Sequence, residues 1–254
     1  MEQAVVISEE LQKTLQKISV SIRRLTSKPY DRLKEDFQND ISLMEQLGSY
    51  GWTLHGNLAP QDPREWLHKI ESKGEAIIAE CFSEYDIEEM LDGMRLRYDE
   101  KPDRLYLERA IENYYLGHFT EAAFFFLALM NWRINQITPD SVRKLTKQCE
   151  EELEKLGKDK YDALSDKPIS RLLLVRDYLP SFYKYAIRTF VDGTEHDLDS
   201  GTEPEYLNRN WLMHGRMTRP VKRYECVQLI NAFHTLADIE EILNNEPLDE
   251  ASEL

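Results

Sequence analysis

The 254-residue sequence contains little glycine and little proline, ten of each, and so has few of the residues that interrupt helices. Its three cysteines, Cys81, Cys149 and Cys226, are too far apart for a paired zinc motif and too few for the disulfide framework of a secreted domain. We therefore expect them to be isolated core thiols.

Signals for secretion and membrane insertion are also missing. No basic segment followed by an apolar segment opens the chain, as a secretory signal would require. The longest apolar run, residues 122–130, is about half as long as a membrane-spanning helix. We expect a cytoplasmic protein that does not contact a membrane.

Positive charge is in short supply, with 32 basic against 47 acidic side chains and a net charge of −15. A general nucleic-acid coat or a membrane-surface protein needs positive charge spread over a face, so the average charge argues against both. The hydrophobic fraction of 41% nevertheless provides enough apolar side chains for a globular core.

Apolar residues recur at three- and four-residue steps along most of the chain, which predicts an all-α fold of eight to ten helices without strands. Residues 119–137 are apolar nearly all round, which predicts the central core helix. Residues 192–205 contain six carboxylates and should form an exposed loop before a helical segment restarts near Glu205. The predicted helices cover residues 8–26, 30–47, 63–81, 86–96, 102–118, 119–137, 139–156, 168–191 with a kink or break at Pro180, and 221–243.

One stretch, residues 207–223, differs from the rest in charge; we call it the basic island. It contains no acidic residue and carries +5, which leaves −20 on the remainder of the chain. An acidic protein can hold a phosphodiester through a focused patch of this kind. Its cations are Arg209, Arg216, Arg219, Lys222 and Arg223.

Within the basic island, Asn210 and His214 are four residues apart and share a face if the segment is helical, and the long side chain of Arg209 can reach the same face. An imidazole can transfer a proton at neutral pH, and a guanidinium can hold a phosphate by two hydrogen bonds. Attack by a ribose 2′-OH on its neighbouring phosphate requires these two functions, which favours RNA as the substrate. Because one chain supplies one histidine here, a twofold dimer would provide both a base and an acid.

Residues 208–215, Asn-Arg-Asn-Trp-Leu-Met-His-Gly, resemble the signature of HEPN domains, in which Arg is followed a few residues later by His and then Gly. Residues 109–123 are similar to the helical hairpin that opens many such domains. The resemblance implies an antiparallel, up-down helical bundle over residues 96–245. It leaves residues 1–95 as an additional helical region of unknown role and residues 246–254 as an acidic tail.

The HEPN resemblance also implies a function. Many members are metal-independent endoribonucleases that dimerise through the motif face and act in phage defence or toxin–antitoxin systems. By position, Arg209 would bind phosphate, Asn210 would orient substrate or partner side chains, and His214 would be the general acid or base. We expect cleavage that leaves 2′,3′-cyclic phosphates, and an antitoxin or regulatory protein as a further partner. Substrate binding would fall to Asn208, Arg216, Arg219, Lys222 and Arg223.

The alternative is a non-catalytic helical scaffold or protein-interaction module, since other family members have lost activity. It predicts that His214 is buried and hydrogen-bonded within one subunit. We expect His55 and His118 to be turn residues, and the aromatic runs at residues 114–115 and 124–126 to lie in the core. Glu108 and Glu112 share a helix face without a histidine at ligand spacing, so we expect neither a metal nor a cofactor.

Overall fold

The computed structural model describes residues 30–54, 63–100, 102–135, 137, 174–191 and 202–244. Every regular element within these residues is a helix, which confirms the all-α class. A 3-10 helix, Glu75–Cys81, follows α2, and π-helical turns, Leu174–Tyr178 and Ile187–Val191, precede and follow α6. The α-helices are α1 Tyr30–Ser49, α2 Pro63–Lys73, α3 Glu84–Arg97, α4 Asp103–Tyr115, α5 Phe119–Ile134, α6 Leu179–Ala186, α7 Arg209–Met213 and α8 Arg223–Asn244.

Local sequence sets several helix ends. Ser83 caps α3 in a reciprocal capping box with Asp86. Helices α4 and α5 form an antiparallel hairpin, in which Asp103 at the start of α4 pairs with Arg133 near the end of α5 at 3.3 Å. The turn between them passes through Gly117 at φ +75°, a conformation that favours glycine. The predicted helix over residues 102–118 and the stop at Gly117 are therefore confirmed.

Helix α8 lies at the centre of the core. Residues 225–237 are all buried, and α8 packs against α3, α5, α6 and the 3-10 helix. The Phe233 ring stacks on Tyr98 at 4.9 Å between centroids and meets Phe126 edge-on at 6.4 Å.

The prediction that residues 119–137 form the central helix is wrong. Phe124 and Trp132 of α5 are 43% and 57% exposed, so one side of this apolar helix faces outward. Tyr115 is also exposed, and the prediction that both aromatic runs lie wholly in the core is therefore wrong as well. An apolar helix is central only if neighbours cover all its sides, and sequence periodicity does not specify their number.

Other predictions are corrected in detail. The helix predicted over residues 63–81 ends at Lys73, because Gly74 adopts φ +84° and the chain restarts as a 3-10 helix. Pro180 is the second residue of α6. The break that was predicted at Pro180 takes the form of a change from π-helical to α-helical hydrogen bonding. Cys226 is a buried thiol as expected, but Cys81 is exposed.

Several predicted features lie outside the described residues: the helices over 8–26 and 139–156, residues 192–201 of the acidic loop, the tail 246–254, His55 and Cys149. The remainder of the loop, residues 202–205, is non-helical, with Thr202 and Glu205 exposed. No helix in the described part of the chain is both long and apolar enough to cross a membrane.

A short segment, residues 50–54, connects α1 to the core through buried hydrogen bonds. The Thr53 amide and hydroxyl both donate to Asn231 Oδ1, at 3.0 and 2.9 Å. Thr235 Oγ1 donates to the Leu54 carbonyl at 3.1 Å, and the Leu54 amide donates to Ser181 Oγ at 3.3 Å. This segment therefore lies along α8 and fixes α1 against both α8 and α6.

Helices α1 and α6 approach each other closely at Gly48. A Cβ added there would overlap the carbonyl oxygen of Ser181 and lie 2.9 Å from Lys184 Cβ. Because Ser181 also accepts from Leu54 through its hydroxyl, α6 cannot move away without breaking a buried hydrogen bond. The absence of a side chain at Gly48 is therefore a packing requirement.

We predict that Gly48→Ala lowers the free energy of unfolding by about 2 kcal/mol, because the overlap with backbone outweighs the gain of roughly 1 kcal/mol in helix propensity. Chemical denaturation measures the change. Gly93→Ala is the matched control, since Gly93 is also within a helix but its Cβ would meet only the His234 ring, at 3.3 Å from Nε2. Equal stability of the two variants would contradict the close approach of α1 and α6.

Candidate functional site

The predicted motif lies on the short helix α7, and Asn208 fixes where that helix begins. Asn208 is buried, and its Oδ1 accepts hydrogen bonds from the amides of Asn210 at 2.9 Å and Trp211 at 3.2 Å. An asparagine at this position satisfies amides that otherwise lack a partner in the first turn. Asn208 therefore acts as the N-cap that orients the motif.

The end of α7 exposes His214. The Gly215 amide donates to the Leu212 carbonyl at 3.1 Å and the Arg216 amide donates to the Trp211 carbonyl at 2.9 Å, which is a Schellman motif with Gly215 at φ +64°. This turn ends the helix at Met213, and the side chain of the C-cap residue His214 is exposed. The prediction of a buried His214, made by the interaction-module alternative, is wrong for the single chain.

Two of the three predicted catalytic side chains are in direct contact. Arg209 Nη1 donates to Asn210 Oδ1 at 3.0 Å. The backbone amide of His214 donates to the Asn210 carbonyl at 3.1 Å, so the histidine follows Asn210 by one helical turn. Arg209 is half-buried, and its Nε has no hydrogen-bond partner among the described residues. The structure therefore places Arg209 and Asn210 in the first turn of α7 and His214 at its C-cap.

Asn208 and Asn210 also bind the end of the π-helical turn Ile187–Val191. Asn208 Nδ2 donates to the Arg188 carbonyl at 3.2 Å, and Asn210 Nδ2 lies 3.5 Å from the Phe190 carbonyl. Carbonyls in the last turn of a helix lack partners within that helix. The two amides satisfy them, and α7 is thereby attached to the turn Ile187–Val191.

The basic island is partly neutralised by carboxylates from outside it. Arg219 forms a two-bond ion pair with the fully buried Glu225, at 2.8 and 2.7 Å, and the hydrogen bond to Glu225 raises the pKa of Arg219. Arg223 pairs with Glu84 at 2.5 Å. These two glutamates neutralise two of the five positive charges of the basic island. Arg219 and Arg223 therefore have structural partners, whether or not they also contact a substrate.

The other predicted substrate-binding cations are exposed. Arg216 and Lys222 both lie at the surface, and Lys222 Nζ is 5.8 Å from the centre of the Tyr224 ring. Burial raises the pKa of the Tyr224 hydroxyl to about 12, so it remains protonated at neutral pH. The loop between α7 and α8 is held by Glu203, whose carboxylate accepts from the Thr218 amide at 3.0 Å.

Arg188 was not among the residues predicted for the site, yet its carbonyl binds the motif residue Asn208. Its guanidinium is buried and donates to both oxygens of Glu75 at 2.8 Å and to the Ser49 carbonyl at 2.9 Å. A single arginine in the apolar stretch of residues 185–191 indicates a buried cation that needs a partner. Its partner Glu75 is 113 residues away, so spacing could not identify it.

Three residues that were not expected to be functional, His118, Glu108 and Glu112, have structural positions. His118 is the N-cap residue of α5 and is exposed in the turn, as expected. Glu108 pairs with Arg95 and Arg104, and Glu112 pairs with Arg109. No group of three or more His, Cys, Asp or Glu side chains in the described ranges could hold a metal ion.

No protein-family description, curated protein or solved structure matches the chain.

We predict that Arg219→Ala lowers the free energy of unfolding by about 3 kcal/mol, because it leaves the buried Glu225 carboxylate without its main partner. Arg223→Ala is the matched control and should cost at most about 1 kcal/mol, because its partner Glu84 is largely exposed. Urea denaturation at neutral pH gives both values. Similar losses in the two variants would show that Arg219 is no more structural than Arg223.

Proposed function

We propose that the protein is an endoribonuclease of the HEPN type, with an up-down helical bundle and a site formed by Arg209, Asn210 and His214. The observation that carries the proposal is the exposed His214 one helical turn from the Arg209–Asn210 contact. Two exposed cations, Arg216 and Lys222, follow this helix in the loop that leads to α8. A group that can transfer a proton and a cation that can hold a phosphate are therefore close in sequence at this helix.

The reaction follows from these groups. A base removes the proton of a ribose 2′-OH, and the 2′ oxygen attacks the adjacent phosphorus. The bond from phosphorus to the 5′ oxygen breaks, and an acid returns a proton to that leaving oxygen. The products are a 2′,3′-cyclic phosphate and a 5′-hydroxyl. Arg209 stabilises the extra charge on the phosphoryl oxygens, and the mechanism assigns no step to a metal ion.

A homodimer completes this mechanism. Each chain offers one histidine at the motif, whereas the reaction uses both a base and an acid. Twofold association about the motif surface would bring two His214 side chains into one cleft. Phage defence or a toxin–antitoxin system, with an antitoxin or regulatory protein as partner, is the setting that the HEPN resemblance favours.

We predict that the purified protein cleaves single-stranded RNA in EDTA and leaves 2′,3′-cyclic phosphate ends. His214→Ala should reduce the cleavage rate by roughly 10²–10⁴-fold, because general acid–base catalysis contributes about that much. Since His214 is exposed, the variant should keep the melting temperature of the wild type. Gel analysis of end-labelled RNA and a thermal melt measure the two quantities.

His118→Ala is the matched control, because His118 is also an exposed histidine next to a glycine turn. It should cleave as fast as the wild type. Intact RNA after incubation with folded, dimeric protein, over several RNA sequences, would contradict the proposal. Equal loss in the two histidine variants would contradict the assignment of His214.

The charge of the site predicts how RNA binding depends on salt. With Arg219 and Arg223 held by glutamates, the basic island can neutralise only a few phosphates. For three or four contacts to a single strand, the plot of log affinity against log salt should have a slope of about −2 to −3. Fluorescence anisotropy with the His214→Ala variant measures it without cleavage. A slope near −7, corresponding to about ten contacts, would contradict a localised site.

The non-catalytic interaction module remains the second candidate. The engagement of Asn208, Arg219 and Arg223 within the chain favours it, since these side chains already have structural partners. Under this alternative the exposed surface around His214 binds a protein rather than RNA. Failure to cleave any RNA together with retention of the dimer would favour it.

A further inference from the structure

Arg188 occupies the junction between the N-terminal helices and the motif. It lies in the π-helical turn Ile187–Val191, and its side chain is only 10% exposed. A buried guanidinium requires partners for its charge and its donors. The identity of those partners shows which parts of the chain this residue joins.

On one side, Arg188 binds segments that precede residue 95. Its Nη2 donates to both carboxylate oxygens of Glu75 at 2.8 Å, and its Nη1 donates to the Ser49 carbonyl at 2.9 Å. Ser49 is the last residue of α1, and Glu75 is the first residue of the 3-10 helix. One side chain therefore holds the ends of two separate N-terminal elements.

On the other side, Arg188 contacts the residues that lead into the motif. Its guanidinium lies over the Tyr206 ring, 4.4 Å from the centroid. Its backbone carbonyl accepts from Asn208 Nδ2 at 3.2 Å. Asn208 in turn caps α7 through the amides of Asn210 and Trp211. The path from Glu75 to the motif therefore passes through one arginine and one asparagine.

We infer that Arg188 is a positioning residue that couples Ser49 and Glu75 to the motif and sets the orientation of α7. The inferred coupling concerns the geometry of the chain and does not depend on any reaction. Its effect on RNA cleavage rests on the proposed function. It gives the N-terminal region a role, because Glu75 and Ser49 hold Arg188 and Arg188 holds the segment of residues 206–208.

Arg133 offers a matched control at the opposite end of α8. It forms a two-bond ion pair with Glu240 at 3.0 and 2.9 Å, reaches Asp103 at 3.3 Å, and lies 4.8 Å from the centroid of the Tyr98 ring. Its chemistry therefore matches that of Arg188. Glu240 follows Glu225 by 15 residues on α8, which places Arg133 about 20 Å from the end of α8 next to the motif.

The test compares Arg188→Gln with Arg133→Gln by hydrogen exchange of the full chain. Loss of the Arg188 side chain should accelerate exchange of the Asn210 and Trp211 amides by about tenfold or more. The reason is that Ser49 and Glu75 no longer hold the turn whose backbone carbonyl accepts from Asn208, and Tyr206 loses its contact with the guanidinium. Loss of Arg133 should leave these two amides unchanged relative to the rest of the core. Arg188→Lys, which keeps the charge opposite Glu75, should restore part of the protection.

RNA cleavage supplies the second readout. Arg188→Gln should lower kcat by about tenfold and change KM little, since misplacement of reacting groups acts on the chemical step. If Arg188→Gln does not fold, Glu75→Gln tests the same contact and should accelerate exchange in the same direction. Equal acceleration at Asn210 and Trp211 in the Arg188 and Arg133 variants, or none in either, would overturn the inference. Absence of cleavage by the wild type would instead overturn the proposed function, while exchange still tests the coupling.

Discussion

Helix α8 is buried along most of its length, yet four of its buried side chains that follow one another at three- or four-residue steps are polar: Glu225, Gln228, Asn231 and Thr235. Buried polar groups must be hydrogen-bonded, since an unpaired one costs about 1–3 kcal/mol. Gln228, Asn231 and Thr235 find their partners in residues 50–54, which are distant in sequence, and Glu225 binds Arg219, six residues before it. The need to satisfy this polar stripe determines which segments can lie next to α8, and the remaining helices pack around that arrangement.

The partners of the stripe follow the helix in order. Gln228 Nε2 donates to the Tyr50 carbonyl at 3.0 Å, Asn231 accepts from Thr53, and Thr235 donates to the Leu54 carbonyl. Residues 50–54 therefore lie along α8 in a fixed register. Glu225, at the beginning of the same stripe, binds Arg219 in the loop after the motif. The helix that fixes the N-terminal segment also fixes the loop after the motif, so the two are not mechanically independent.

Helix positions could be predicted from the sequence because apolar spacing and helix ends are local properties. The spacing located α1, α3, α4 and α8, whereas the helical segment expected to restart near Glu205 begins at Arg209. Long-range pairing could not be predicted in this way. Nothing in the spacing relates Glu75 to Arg188 or Thr53 to Asn231, and nothing identified α8 rather than α5 as the helix covered on every side. The place of Asn208 in the basic island led to the prediction that it binds substrate, and this stays a prediction. The structure shows in addition that its buried side-chain amide caps α7.

Several carboxylates of this acidic chain hold arginines near the motif, which the net charge alone does not indicate. Carboxylates from three separate elements, Glu75, Glu84 and Glu225, each hold an arginine near the motif. An arginine held by two hydrogen bonds is fixed in position but contributes little net charge to a ligand. Carboxylates of the acidic chain therefore help to hold the segments on either side of Arg209 and His214.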